Sequence, residues 1–522
     1  MTEAAEISSP RAKASAPQRN VIQSFSPITG ELLGEVAVMN AEQVRDVVTR
    51  ARRAQEAWGA RPIAERCDAL LAYRDALLDS SEELCELLAR ENGKPRHEAL
   101  LHEVMVAADL ITYFAHEAPR LLAPEERSVH LLKYRKSLVT YAPRGVVAVI
   151  GPWNFPLQLP LRDVIAAVVA GNAAVVKPSE VTPLIMAKAK SIWDACGMPE
   201  DLFGVVTGYG PTGAALLDAG IDLCVFTGSV GTGKRVAAAC GERLIPCIME
   251  LGGKAPLIAC SDCDVERTAR AIVNGGFANS GQVCISVERV YAHRDVHDRL
   301  VERVVELTKQ LRTGDPATEF CDIGGITFEH QIEVAEKHIA DAIDKGARVA
   351  CGGHRIKTAK MAFEPTVIDG CDHTCTVMTQ EIFGPIVPIM SVSSEGEAIQ
   401  LSNDSHLGLN AYVFTEDATR GRRIAEQIDA GSVVVNDVLI NGGMPEAPFG
   451  GMKHSGFGRV MGEEGLRSMC HVRHICLDRV KLPPKSPIGF PYTESTYRWF
   501  QKGVRALFRS GGVIKKLSHL FQ

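Results

Sequence analysis

Residues 146–180 read VVAVIGPWNFPLQLPLRDVIAAVVAGNAAVVKPSE. Val146–Ile150 is an apolar strand with no polar face, a Pro-bracketed turn follows it, and after a helical stretch a second apolar run at 173–176 ends in Lys-Pro-Ser-Glu. Continuous apolar strands separated by helices are the sequence form of a parallel, doubly wound sheet. Working outward, further strands are expected at 204–207, 223–226 and 245–249, with helices over 182–195 and 230–240 between them. A second alternating block runs from about 255 to 435, with strands expected near 290–292, 386–390, 411–414 and 432–435. The expected fold class is α/β, two doubly wound lobes.

The flanks read differently. Residues 1–20 are polar and aperiodic, with Pro10 and Pro17, and are expected to be a disordered arm. Asn40 suits a helix N-cap with Gln43 as its capping-box partner, and Val44, Val47, Val48, Ala51 and Trp58 recur at helical spacing, so helices are expected from there to about 117. Residues 128–141 alternate loosely, carry Lys133, Arg135 and Lys136, and read as a hairpin that projects from the body or pairs with another subunit. The chain has 522 residues, 46% of them hydrophobic and 23% charged, and a net charge of −6. That excludes fibrous and disordered classes and argues against nucleic acid as a partner. Fifteen Cys are too few for a disulfide scaffold, and no apolar leader or run of about 18 apolar residues is present, so a cytoplasmic location with free thiols is expected.

Five stretches carry chemistry. Cys284 follows a Gly281-Gln282 turn, where a thiol can meet a cleft and its own N–H can stabilise an oxyanion. Glu250 ends an apolar strand and precedes Gly252 and Gly253; strand ends are where open α/β sheets hold ligands, and apolar neighbours raise a carboxyl toward the range of a general base. Asn154, on the turn after the first strand, could donate to the same oxyanion. Lys177 and Glu180 end the next strand. Residues 226–234, Phe-Thr-Gly-Ser-Val-Gly-Thr-Gly-Lys, make a strand, a glycine turn and a helix start able to take a phosphate. Gly228 and Gly233 fit neither G-x-G-x-x-G nor a Walker A loop, and Arg235 stands where a P-loop needs Ser or Thr. Cys260 and Cys263 form a lone C-x-x-C, and no metal is expected.

Together these stretches resemble the aldehyde dehydrogenase superfamily over about residues 22–480. The motifs are Pro-Trp-Asn-Phe-Pro (152–156), Lys-Pro-Ser-Glu (177–180), Phe-Thr-Gly-Ser (226–229), Glu-Leu-Gly-Gly-Lys (250–254), Gly-Gln-Val-Cys (281–284), Glu-Ile-Phe-Gly-Pro (381–385) and Pro-Phe-Gly-Gly-Met-Lys-x-Ser-Gly (448–456). The resemblance implies Cys284 as nucleophile, Glu250 as base for the hydrolytic water, and Asn154 as oxyanion donor. It places Lys177 and Glu180 on the adenosine ribose of NAD(P)+, Ser229 on the pyrophosphate, Glu381 on the nicotinamide ribose and Phe383 near the ring. Trp153, Ser179, Gly228, Gly233 and Leu251 join them as cofactor contacts. A Glu at 180 accepts from a 2′-hydroxyl and repels a 2′-phosphate, so NAD+ is favoured, while Lys177 leaves NADP+ open. The implied domains are a cofactor domain (21–125 and 145–249), an oligomerisation element (126–144 and 470–482), a thiol domain (250–469) and a tail (483–522), in a homodimer or homotetramer.

The aldehyde is less explicit. Ala278, six residues before the nucleophile, is small where relatives often carry bulky or cationic groups, 285–290 and 435–437 resemble the branch that includes carotenoid-dialdehyde dehydrogenase, and the C-terminal tail resembles those of membrane-associated fatty aldehyde dehydrogenases, so a hydrophobic or long aldehyde is expected. Arg162 sits where succinate-semialdehyde dehydrogenases place a carboxylate-binding Arg, which keeps that substrate as the alternative; a lone Arg at a helix start otherwise reads as a surface residue. Transfer of the acyl group to coenzyme A is disfavoured by Glu250, and a non-catalytic scaffold by the full set of catalytic groups. In the tail, Arg498, Lys502, Arg505 and Arg509 share one helical face, with Trp499, Phe500, Val504, Leu507 and Phe508 on the other, and a short apolar-basic piece follows at 513–521. Such a helix suits either an anionic membrane surface or docking onto protein.

Overall fold

The computed structural model describes residues 20–481 and 488–510. The arm expected over 1–20, apart from Asn20, and the piece at 513–521 lie outside the described residues. Packing divides the rest into a large unit, 20–123 with 141–471, and a small unit, 124–140 with 472–481 and 488–510.

The large unit contains both α/β lobes. In the first, six strands lie in the order Gly456–Phe457, Cys247–Glu250, Leu223–Thr227, Val146–Ile150, Ala173–Lys177, Phe203–Val205, and the last five are parallel. The chain starts in the middle at Val146–Ile150, adds two strands to one side, and returns to add two to the other. That reversal leaves a crevice at the carboxyl ends of Val146–Ile150 and Leu223–Thr227. Ala173–Lys177 is buried along its whole length, as are the first four residues of Val146–Ile150 and of Leu223–Thr227. That two-sided burial is why they read as apolar runs. The Ala41–Gly59 helix carries the expected capping box, and Val44, Val47, Val48, Ala51 and Trp58 are its buried residues. The second lobe has seven strands, in the order Arg348–Cys351, Thr366–Asp369, Ile386–Val392, Val287–His293, Ala255–Ala259, Asn410–Phe414, Ser432–Val435.

Four features depart from the sequence reading. Strand Gly456–Phe457 pairs antiparallel with Cys247–Glu250, and Phe449, Val460, Leu466 and Met469 enter the first lobe's core, so 448–469 helps to build that lobe although it was assigned to the thiol domain. The hairpin expected at 128–141 starts earlier: Glu125–Arg127 pairs with Arg135–Pro143 across a loop at 128–134. An N-terminal hairpin, Val21–Phe25 with Leu32–Ala37, gave no signal because it is short and half exposed. Between the expected helices lies a π-helix, Ala99–Met105, a rare form with no sequence signature.

In the small unit, Arg135–Pro143 is the central strand between Glu125–Arg127 and Cys470–Asp478. Helix Glu494–Phe508 is closed at its start by a capping box of Thr493 and Thr496.

Candidate active site

A cleft of about 1020 Å³ opens between the lobes at the crevice. Cys284, Glu250 and Asn154 all line it. The cysteine stands just after three successive residues in the left-handed region, Asn279 (φ 48°), Ser280 (φ 55°) and Gly281 (φ 73°). Two of them are not glycine, so this turn is strained and must be held from outside. The Asn279 amide donates to Glu98 Oε2 at 2.7 Å and its Nδ2 to the Asn154 carbonyl at 2.9 Å. Gln282, fully buried, accepts from the Thr327 amide at 2.8 Å. At Gly281 a Cβ would come within 2.1 Å of the Gly384 carbonyl oxygen, so no side chain fits there. Asn-Ser-Gly is a composition that tolerates positive φ, and it was the available signal for this turn.

Asn154 donates one Nδ2 hydrogen to the Gln282 carbonyl at 2.9 Å, which fixes the amide beside the Cys284 loop with a second Nδ2 hydrogen able to donate into the cleft. Glu250 is 4% exposed, and neither carboxylate oxygen has a hydrogen-bond partner. Burial pushes its carboxyl up to about 8, with Arg162 opposing and Asp163 adding to the rise. Burial and the negative charges of Glu250 and Glu381 likewise push the Cys284 thiol up to about 12. Cys284 therefore rests as a thiol, and the unbonded Glu250 carboxyl, titrating near neutrality, is the group in the cleft suited to take its proton. Gly253 has no room for a side chain, since a Cβ would lie 2.1 Å from the Cys284 carbonyl oxygen. The Pro-Phe-Gly-Gly segment finds its place here too: a Cβ on Gly450 would sit 2.9 Å from Glu250 Oε1.

The other half of the cleft is lined by Trp153, Lys177, Ser179 and Glu180 at the carboxyl ends of the first lobe's inner strands, and by Gly228, Ser229 and Leu251 beside them. Ser229 is the N-cap of helix Val230–Glu242, whose first turn carries the unpaired amides of any helix start. Lys177 Nζ donates to the Pro178 carbonyl at 3.0 Å and to Glu180 at 3.4 Å. Glu381 and Phe383 close the cleft from the second lobe, with the Phe383 ring edge-on to Trp153 at 5.3 Å. The volume, the glycine-lined helix start and the ribose-competent carboxylates fit a dinucleotide. Gly233 is the exception among the expected contacts: it faces Leu251, where a Cβ would come within 2.3 Å of Cδ2, and it lets the helix pack rather than lining the cleft.

Arg162 is a second correction. It is 2% exposed, on helix Gln158–Val169, bonded through Nε to Asp163 at 3.1 Å and 5.9 Å from the Phe449 ring, while Nη2 has no partner. Sequence reasoning also missed a buried charge cluster behind Asn154. Lys94 Nζ donates to Glu103 Oε1 at 2.5 Å and to the Asn154 carbonyl at 2.9 Å, and Glu103 Oε2 accepts the amides of Leu157 and Gln158. Glu103 lies on the π-helix, so nothing in a 3.6-residue pattern pointed to it.

The chain matches the family model described as "Aldehyde dehydrogenase family" over residues 14–475. It is 38% identical over 498 residues, 95% of this chain and 93% of the other, to the "4,4'-diapolycopene aldehyde oxidase" of Methylomonas sp. It is also 38% identical over 486 residues, 92% of each chain, to the "Putative succinate-semialdehyde dehydrogenase (NADP(+))" of Mycolicibacterium smegmatis. Among solved structures, the Mycobacterium tuberculosis aldehyde dehydrogenase complexed with NAD+ superposes with a TM-score of 0.84 at 33% identity, covering 90% of this chain and 98% of that one.

Proposed function

The chain belongs to the aldehyde dehydrogenase family, and we propose that it oxidises an apolar aldehyde to the carboxylic acid through a thioester on Cys284. It is an NAD(P)+-dependent oxidoreductase. The observation that carries the mechanism is the convergence of Cys284, Asn154 and an unbonded Glu250 on one cleft. Cys284 Sγ attacks the carbonyl carbon as its proton passes to Glu250, and the new oxyanion is met by Asn154 Nδ2–H and the Cys284 N–H. Bound NAD(P)+ supplies the acceptor for the hydride of that carbon. Glu250 releases that proton to solvent and, as a carboxylate, takes a proton from a water that attacks the thioester; the C–S bond breaks, the Cys284 sulfur takes the proton back from Glu250, and the acid leaves. A base so placed favours water over coenzyme A as acyl acceptor.

Lys177 and Glu180 would hold the adenosine ribose, Gly228 and Ser229 the pyrophosphate, Glu381 the nicotinamide ribose, and Phe383, Trp153, Ser179 and Leu251 the cleft walls around it. A carboxylate at 180 prefers NAD+. The apolar substrate is supported by Ala278, a small buried residue six positions before Cys284, and by the apolar core containing Val283, Ile285, Leu409 and Phe449, against which Phe155, Cys284 and Leu439 pack. A second reading, a semialdehyde with a carboxylate tail, is favoured by one observation, the buried Arg162 whose Nη2 lacks a partner. NADH production across C4 semialdehyde, aromatic, long-chain and polyene aldehydes decides. The apolar reading expects the highest kcat/KM on the long-chain or polyene members; a preference for the semialdehyde that Arg162→Met abolishes replaces it. Full activity of Cys284→Ala on every aldehyde overturns the nucleophile.

Two surfaces belong to the same proposal. Strand Cys470–Asp478 is an exposed edge carrying Val472, Ile475 and Leu477, which suits pairing in a homo-oligomer. Helix Glu494–Phe508 leaves Tyr497, Trp499, Val504, Leu507 and Phe508 more than half exposed beside its arginines, which suits an anionic membrane surface. No helix among the described residues is long and apolar enough to cross a membrane.

A further inference from the structure

Glu381 and Phe383 stand on a loop gripped by a charge pair that the proposed mechanism does not use. Glu288, on strand Val287–His293, is 3% exposed. Its Oε1 accepts the Phe383 amide at 2.8 Å and its Oε2 the Ile382 amide at 2.9 Å. Lys254, 2% exposed, donates from Nζ to Glu288 Oε2 at 2.9 Å. The residue before Lys254 completes the grip, since the Gly253 amide donates to Glu381 Oε1 at 2.8 Å. Gly252 leaves the space that Glu381 fills: a Cβ there would lie 2.4 Å from Oε2. Phe383, a non-glycine, is held at φ 55° by these bonds.

Such an arrangement is expensive as a stability device. Burying a Lys–Glu pair costs about as much as it returns, and an apolar pair of the same volume would serve the fold as well. What an apolar pair could not do is hold two consecutive amides and a strained backbone directly after Glu381.

We infer that Glu288, braced by Lys254, is a positioning residue that orients Glu381 and Phe383 toward the nicotinamide half of the cofactor, so that it sets cofactor affinity and leaves the chemistry of Cys284 alone. The inference rests on the assignment of Glu381 to the nicotinamide ribose. Burial and Glu288 together push the Glu381 carboxyl up to about 8, against the Gly253 amide and Lys254. Cys284 also feels the Glu381 carboxyl, while His338 meets only the Glu381 backbone, through a hydrogen bond. A carboxylate accepts both ribose hydroxyls better than a carboxylic acid, so cofactor affinity rises with pH through that range. A neutral group at 288 removes the repulsion and moves the midpoint down.

The test uses the full-length enzyme and three readouts from pH 6 to 10: KM for NAD+, kcat, and cofactor-free hydrolysis of p-nitrophenyl acetate by Cys284. The variants are Glu288→Gln, the neutral pair Glu288→Gln/Lys254→Gln, and Glu381→Gln. Losing a charged acceptor of two amides raises KM for NAD+ about tenfold in Glu288→Gln, lowers the pH midpoint of KM, and leaves ester hydrolysis within about twofold. Should Glu288→Gln fail to fold, the neutral pair, which leaves no lone buried charge, carries the same expectations for KM and ester hydrolysis, with a smaller shift of the midpoint because Lys254, which opposes Glu288 at Glu381, is lost as well. An unchanged KM and midpoint overturns the inference, and so does a loss of ester hydrolysis as large as the loss of NADH production. Glu381→Gln separates the two levels: an unchanged KM in that variant sinks the ribose assignment itself, whereas a raised KM there with unaltered Glu288 variants sinks only the role of Glu288.

Discussion

A buried carboxylate without a single hydrogen bond is costly, and Glu250 is held in that state by its surroundings. Its raised pKa has a defined sign. The protonated form is the one the fold prefers, so the stability it contributes is full below the ordinary carboxyl range near 4.5 and is lost as pH rises through about 8. Glu250→Gln keeps the shape and cannot ionise. The melting temperature of the cofactor-free wild type should therefore fall between pH 7 and 9, and that of Glu250→Gln should fall less; parallel curves would mean that Glu250 does not titrate there. The same variant should slow the first turnover of NADH, because the Cys284 thiol loses its proton acceptor, and lower the steady rate about 10²–10⁴-fold, because the hydrolytic water loses its base. An unslowed steady state would give the water to another base. Glu250, Cys284 and Asn154 were legible in sequence because each sits where an element ends, in a motif with a turn beside it. Arg162 was misread because an arginine's burial depends on what packs over it, here Phe449 from almost 300 positions away in sequence.

The turn that carries Asn154 is only as rigid as the elements behind it. Lys94 holds its carbonyl, Glu103 holds the amides of Leu157 and Gln158 at the start of the next helix, and Glu98 holds the Asn279 amide of the nucleophile's loop. One segment, 94–103, thereby fixes both the Asn154 turn and the Cys284 loop, the two sides of the proposed oxyanion site. Lys94→Met removes the grip on the Asn154 carbonyl and also leaves Glu103 unpaired, so Lys94→Met/Glu103→Gln is the cleaner variant. It should lower kcat and p-nitrophenyl acetate hydrolysis together, by roughly 10–100-fold, because both need the oxyanion donor, with KM for NAD+ little changed. A fall in NADH production with full ester hydrolysis would place the defect elsewhere. Legibility at this scale followed periodicity. The capped Ala41–Gly59 helix and the inner parallel strands stand where their patterns put them, since two-sided burial and capping leave marks in a few adjacent residues. The π-helix and the antiparallel strand Gly456–Phe457 do not: the first is a local form whose i→i+5 bonds leave no 3.6-residue pattern, and the second is defined by a partner strand remote in sequence.

For the molecule as a whole, the charge average conceals the end of the chain. The net charge is −6, yet residues 495–522 contain six Lys and Arg and no acid. On helix Glu494–Phe508, Tyr497, Val504 and Phe508 fall seven and four residues apart, on one line of the helix surface, and are 66%, 54% and 60% exposed. Arg498 and Arg505 follow the first two by one residue and so stand along the edge of that line. An apolar stripe with cations at its border matches the depth profile of a lipid headgroup region, where the rings enter and the guanidinium groups stay with phosphate. Each cation near an anionic surface adds about 1 kcal/mol, screened by salt. The full chain should therefore sediment with vesicles rich in anionic lipid at low ionic strength, release as salt rises, and ignore neutral vesicles. Deleting 495–522 should abolish the binding while NADH production on a water-soluble aldehyde stays within about twofold. If the full chain never binds, or the shortened one binds as well, the helix has another occupant. A shift in molecular mass by light scattering on deletion would then identify it as a second copy of this chain.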